Sequence, residues 1–237
     1  MGAVADNLAS VREKINLAAV GAGRNPDTIS LVAVSKRVTP QRIAEAVAAG
    51  QLLFGENYLQ EAVEKMAPLA ELLGYRGWTG PPPSWHFIGH LQSNKARVAA
   101  ENFAMLETVD RLKTARALDK YSRAAGRVLP VLVQVNMGGE PQKSGVAPDQ
   151  LGGLLEELAL LPALEVAGLM TMPPFTEEPE DSRPLFRGLR ELSSTFSKAG
   201  LLPSSSQLSM GMSSDYQVAV EEGATLVRVG SAIFGAR

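Results

Sequence analysis

Leu31-Val32-Ala33-Val34-Ser35-Lys36 is the stretch whose reading decides the fold. Four apolar residues, too few for a helix and followed at once by polar ones, read as a strand buried on both faces, the pattern of a parallel sheet. The lysine that closes it needs a reason, because lysine is almost never fully buried unless paired. At a strand end it either carries its charge out to solvent along its stem or sits in a polar cavity. In a cavity its pKa falls, which leaves a neutral amine able to attack an aldehyde and form a Schiff base. Just beyond, Thr39-Pro40 reads as an N-cap with a helix-starting proline, and Ile43, Ala44 and Val47 form one stripe that stops at Gly50. Upstream, Val4, Leu8, Val11, Ile15 and Ala18 recur at helical spacing, so residues 3–22 form an additional N-terminal helix.

The same strand-helix unit recurs along the chain. Strands are expected at Leu52–Glu56, Trp85–Gly89, Ala104–Val109, Leu129–Val135, Leu164–Met170, Gln207–Met210 and Thr225–Val229. Helices are expected between them at Tyr58–Leu73, Ser93–Glu101, Asp110–Ala125, Pro148–Leu161, Arg183–Lys198 and Ser214–Glu222. Parallel neighbours need crossover connections, so this alternation implies a parallel sheet. Eight units in 237 residues predict an α/β fold of one domain over residues 1–237, a closed (β/α)8 barrel of the TIM type with an extra N-terminal helix. An open doubly wound sheet is the competitor, but its first turn is usually glycine-rich, and Ser35-Lys36-Arg37-Val38 has no glycine.

Composition narrows the function. A 45% hydrophobic content supports a large core, and a net charge of −2 gives no electrostatic footprint for nucleic acid or an anionic membrane. There is no cysteine, which excludes disulfides, thiolate catalysis and cysteine zinc sites. The expectation is a cytoplasmic protein without leader or membrane span. His86 and His90 lack the helix that would make a metal pair of them, so no metal is expected.

On a barrel the chemistry sits at the C-terminal strand ends. The sequence puts Lys36, Asn57, His90, Asn136, Met170-Thr171, Ser213-Ser214 and Gly230-Ser231 there, although any one of them could be a cap or a loop residue. The last two loops, Gly211-Met212-Ser213-Ser214-Asp215 and Gly230-Ser231-Ala232-Ile233-Phe234-Gly235, follow strands seven and eight, where this fold commonly holds phosphate. A lysine and a phosphate cup together point to a phosphorylated aldehyde: pyridoxal 5′-phosphate, or a sugar phosphate in a Schiff-base aldolase. Arg228 shares a strand face with Gly230 and Leu226. It could donate to a pyridine nitrogen, or equally form an internal salt bridge with Glu56 or Glu107.

Several blocks then carry a family resemblance: Val32–Lys36, Phe54-Gly55-Glu56-Asn57-Tyr58, Trp85–Lys95, Lys143-Ser144-Gly145, Gly168–Met172, Leu208–Asp215 and Arg228–Gly235. Together they resemble the pyridoxal phosphate homeostasis protein family across nearly the whole chain. The resemblance implies a barrel of the alanine racemase N-terminal type with Lys36 as the Schiff-base lysine. It also implies phosphate held by Ser213, Ser214, Gly230 and Ser231, Arg228 at the pyridine nitrogen, and Asn57 near the cofactor; Met170, in the strand-end ring, joins this cofactor-binding set. Family members bind and deliver the cofactor to apoenzymes rather than turn over a substrate, and a monomer is expected.

Two departures from the family stand out. Another lysine often lies two residues past the Schiff-base lysine, where this chain has Val38, and basic residues often follow the motif that here ends at Gly235-Ala236-Arg237. Lys143 is kept as a possible accessory site. A pyridoxal-phosphate amino-acid racemase is the main rival, but it needs two bases, the second usually a tyrosine from an additional β domain. Tyr58 and Tyr216 are the tyrosines near strand mouths.

Overall fold

In a computed structural model that describes residues 2–140 and 142–235, the chain begins with helix α1 (Ala3–Gly21) and strand β1 (Ser30–Val34). There follow α2 (Pro40–Ala48), β2 (Leu53–Glu56), α3 (Leu59–Tyr75), β3 (Ser84–Phe87), α4 (Ala96–Asn102), β4 (Met105–Val109), α5 (Leu112–Ala124) and β5 (Leu129–Gln134). The chain continues through α6 (Leu151–Ala159), β6 (Leu164–Met170), α7 (Arg183–Lys198), β7 (Gln207–Ser209), α8 (Tyr216–Glu221), β8 (Leu226–Val229) and the short α9 (Ser231–Phe234). The eight strands pair in sequence order, all parallel, and β8 returns to β1 through the register Val32↔Arg228. The barrel is closed, as the eight repeats predict, so among the described residues its eight strands leave no sheet edge open.

Strand alternation divides the apolar residues into two bodies. Val32, Met105, Leu132, Met170 and Leu226 form one cluster, the filling of the barrel. Their neighbours Leu31, Ala33, Phe54, Phe87, Leu106, Val131, Leu169 and Val227 point the other way and join the shell between strands and helices. In that shell Phe87 and Phe103 meet edge to face, with ring centroids 5.3 Å apart and planes at 70°. Helix α1 buries Val4, Leu8, Val11, Ile15 and Ala18, the predicted stripe, against α8, α9 and α2. Asn7 locks it there by donating to the Ile233 carbonyl (2.9 Å), which ties the first helix to the last turn.

Several element ends differ from the predicted ones, each for a local reason. Strand β1 stops at Val34, so Ser35 and Lys36 already belong to a turn, closed by the Val38 N–H donating to the Ser35 carbonyl (3.0 Å). Helices α4 and α6 begin at Ala96 and Leu151 because Ser93–Lys95 and Pro148–Gln150 are tighter single turns. Helix α8 starts at Tyr216 behind an Asp215 N-cap; the Asp215 carboxylate turns back to accept from the Met212 N–H (2.6 Å). Ser213 and Ser214 are therefore not spent on capping that helix. Among the described residues no helix is long and apolar enough to cross a membrane.

The shell makes a stability prediction. Phe103→Ala opens a cavity behind a fully buried ring and lowers the unfolding free energy by about 3–5 kcal/mol. Leu160→Ala, at a residue 74% exposed, shifts it by no more than about 0.5 kcal/mol. Urea unfolding midpoints of the two variants and the unaltered chain check both values.

Candidate functional site

The C-terminal mouth of the barrel holds a cavity of about 450 Å³. Its polar lining is Lys36 and Asn57, from the turns after β1 and β2, together with Ser213 and Ser214, after β7, and Gly230 and Ser231, after β8. Arg228 forms its floor, and Val34, Ile88, Met172, Phe175 and Met212 supply an apolar lining. Such a mixture, a few converging polar groups on an apolar cup, is the usual make-up of a small-molecule site. The Gly230 N–H donates to the Ser213 hydroxyl (3.3 Å), which joins the two serine loops into one surface. Gly211, at φ +90°, lets the β7 loop pass within contact of α8; a Cβ there would lie 2.5 Å from that of Ala219.

The floor is a buried polar relay across the lumen. The guanidinium of Arg228 donates to the Thr171 carbonyl (2.8 Å) and to the Ser209 hydroxyl, and that hydroxyl donates to Glu107 Oε2 (2.5 Å). Glu107 Oε1 in turn pairs with His86 Nδ1 (2.7 Å). Full burial pushes the Glu107 carboxyl up, but its bonds with His86 and Ser209 and the field of Arg228 outweigh this and hold it below the ordinary carboxylate range. Burial likewise lowers Arg228, against the pull of Glu107 and Asp215. The two partners proposed for Arg228 thus separate: Glu107 reaches it through Ser209, whereas Glu56 faces away toward α3 and bonds Lys65 (2.9 Å).

Of the sequence-predicted residues, Lys36, Asn57, Ser213, Ser214, Arg228, Gly230 and Ser231 come together around this one cavity. Met170 does not line it. Its side chain is in the apolar layer that fills the barrel, because strand periodicity turns it inward below the mouth. Other members of the strand-end ring tie loops together: Asn136 donates to the Glu140 carbonyl (2.9 Å), Thr171 to the Val135 carbonyl (2.9 Å), and His90 sits between Arg111 and Ser144. Lys143 is ion-paired with Glu140 (2.5 Å) in the loop after β5. Met172, Phe175 and Met212 were not expected. Apolar loop residues carry no signal in periodicity, although Val34 and Ile88 were reachable by counting two back from Lys36 and His90 along their strands.

The family model for the alanine racemase N-terminal domain matches residues 3–237. The pyridoxal phosphate homeostasis protein of Pseudomonas aeruginosa is 46% identical over 237 residues, covering 100% of this chain and 97% of that protein. Its namesake from Escherichia coli K12 is 45% identical over 240 residues, covering 100% and 98%. The chain belongs to the pyridoxal phosphate homeostasis protein family. Among solved structures, PipY of Synechococcus elongatus with PLP bound superimposes with a TM-score of 0.83 at 37% identity, covering 98% of this chain and 100% of that one. Alanine racemase from Corynebacterium glutamicum, at 19% identity and a TM-score of 0.65 over 97% of this chain and 62% of its own, shares the fold.

At the first of the two departures, Val38 is only 6% exposed and packs into the shell, an apolar anchor for the Lys36 turn. The terminal residues Ala236 and Arg237, at the other departure, lie outside the described residues.

The relay makes a pH prediction. Glu107 has a lower pKa folded than unfolded, so the unfolded chain binds more protons across that interval. The stability it contributes is complete above its ordinary value of 4.5 and drains away as pH falls through the folded-state value. Glu107→Gln lowers the unfolding free energy by about 3 kcal/mol at neutral pH. That deficit shrinks below about pH 4, as urea midpoints across the pH range will register.

Proposed function

We propose that this chain binds pyridoxal 5′-phosphate, holds it as a Schiff base on Lys36, and serves its storage or delivery to apoenzymes in the cytoplasm, as a monomer and without robust turnover of its own. The observation that carries the reading is the cavity itself, which brings one lysine, two serine loops and a guanidinium to one lining. A fit to the cofactor is supported by Asn57, whose Oδ1 is buried at the cavity wall with no hydrogen-bond partner and would accept from a ligand hydroxyl. The PLP-bound PipY relative supports the same ligand.

When bound, the cofactor supplies an aldehyde for amines and a ring able to draw electrons from them. The remaining work belongs to the chain. Ser213, Ser214 and Ser231, with the Gly230 backbone, would hold the phosphate; Ile88, Met172 and Met212 would exclude water from the ring; Lys36 would present its amine. Arg228, its charge sustained by Glu107 through Ser209, would donate to the ring nitrogen and so keep it unprotonated, which would weaken the ring as an electron sink.

Two alternatives are weaker. Racemisation needs a second base, and among the described residues no tyrosine lines the cavity: Tyr216 is buried in the shell and Tyr58 is 49% exposed on the rim. A Schiff-base aldolase would use the same lysine and phosphate loops but gives Arg228 no task.

The test is an absorbance titration of the purified protein with pyridoxal 5′-phosphate, followed by borohydride reduction and peptide mapping. The expected adduct is on Lys36, and Lys36→Ala abolishes it together with the visible band. Arg228→Ala leaves the adduct and shifts the spectrum. A reducible adduct on another lysine, with Lys36→Ala unaffected, contradicts the reading.

A further inference from the structure

Lys36 is the centre of a turn whose two flanks are both fastened from outside. Ser35 on one side is fully buried, and every polar group it owns is engaged. Its N–H donates to the Gly55 carbonyl (3.0 Å), its hydroxyl to Glu56 Oε1 (2.6 Å), and its carbonyl accepts from the Val38 N–H (3.0 Å) and from Lys65 Nζ (2.9 Å). On the other side Arg37 has φ +58°, the one non-glycine residue with positive φ among the described residues, and its N–H donates to Glu61 Oε1. A left-handed backbone at a residue with a side chain is uphill, so something must hold it. Lys65 connects the two flanks, because the same ammonium that bonds the Ser35 carbonyl also bonds Glu56 Oε1 (2.9 Å) and Glu61 Oε1 (2.6 Å).

This cluster is an expensive way to pack α3 against the barrel. Lys65 is 6% exposed and Glu56 is not exposed at all, and apolar side chains of similar volume would fill such a place at least as stably. Glu56 Oε2 is buried with no partner, and burial raises that carboxyl, against the hydrogen bond from Ser35 and the charge of Lys65. What the charged groups supply that apolar ones cannot is direction: Lys65 bonds the Ser35 carbonyl, Glu56 the Ser35 hydroxyl and Glu61 the Arg37 N–H, on the two residues that flank Lys36.

We propose that Lys65, with Glu56 and Glu61, is a positioning device that sets the backbone of Ser35 and Arg37 so that the Lys36 amine meets an incoming aldehyde at the cavity wall. The inference rests on the functional reading above. Lys65 does not line the cavity. Its effect falls on the step in which the Lys36 nitrogen bonds to the aldehyde carbon, with loss of one water, and not on phosphate binding by the serine loops after β7 and β8.

The experiment measures, for each variant, the rate of borohydride-trappable adduct formation on Lys36 from pyridoxal 5′-phosphate and the inhibition constant of inorganic phosphate in the same assay. Lys65→Met slows adduct formation about ten-fold or more, the scale of losing a well-oriented reactant. The phosphate constant stays within about two-fold, since the phosphate wall is a separate element. Lys65→Arg restores part of the rate. Glu61→Gln, at a partly exposed position in the first turn of α3, slows the step in the same sense and decides the matter if Lys65→Met does not fold. Adduct formation at the unaltered rate in Lys65→Met, or in Glu61→Gln should that variant have to stand alone, overturns the inference while leaving the functional reading intact. If the unaltered chain forms no adduct on Lys36, the functional reading fails and this inference with it.

Discussion

A guanidinium inside a closed barrel is the constraint on which the rest of the site depends. Arg228 is 3% exposed, and a cation so placed is tolerated only when its hydrogen bonds and its charge are both answered. Thr171 and Ser209 answer the hydrogen bonds; Glu107, reached through Ser209 and steadied by His86, answers the charge. Those partners are side chains of β3, β4 and β7 and the backbone carbonyl just after β6, so one cation draws polar groups from half the barrel. Below them the lumen is filled by Val32, Met105, Leu132, Met170 and Leu226 in the ordinary way of such barrels. Above them the filling stops and a cavity begins.

The cavity inherits its asymmetry from the loops around it. Lys36 stands on a short turn secured by buried charges, whereas the serines stand on loops shaped by Gly211 and by the Asp215 carboxylate folding back on Met212. Helix α1, outside the barrel proper, matters to this second wall: its Asn7 grips Ile233 in α9, the helix that begins at Ser231. An N-terminal element thereby holds a C-terminal loop in place, a long-range dependence that the barrel repeat by itself does not require.

The repeat was legible in the sequence because each unit announces itself twice, as an apolar run of strand length and as a helical stripe, in most units ended by glycine. Seven cavity residues were legible for a related reason: on a barrel, position in the strand-helix repeat is position at the mouth. Met170 shows where that logic needs a second step: parity turns this last residue of β6 into the lumen, but its side chain joins the apolar filling below the cavity, so depth as well as direction decides what lines the mouth. The apolar wall of Met172, Phe175 and Met212 lies on loops, where no period constrains side chains. Nor could sequence distinguish Glu56 from Glu107 as a partner of Arg228; both end or interrupt a strand, and only the inward or outward turn of each separates the relay from the α3 cluster.

The central claim is that one molecule of pyridoxal 5′-phosphate spans this cavity from lysine to serine loops. A crystal structure of the protein with the cofactor tests it most directly. The account predicts continuous density from Lys36 Nζ to the ring, the phosphate between the Ser213-Ser214 and Gly230-Ser231 loops, and the ring nitrogen within hydrogen-bond distance of Arg228. Cofactor density attached to Lys143, or a phosphate bound away from those loops, contradicts it.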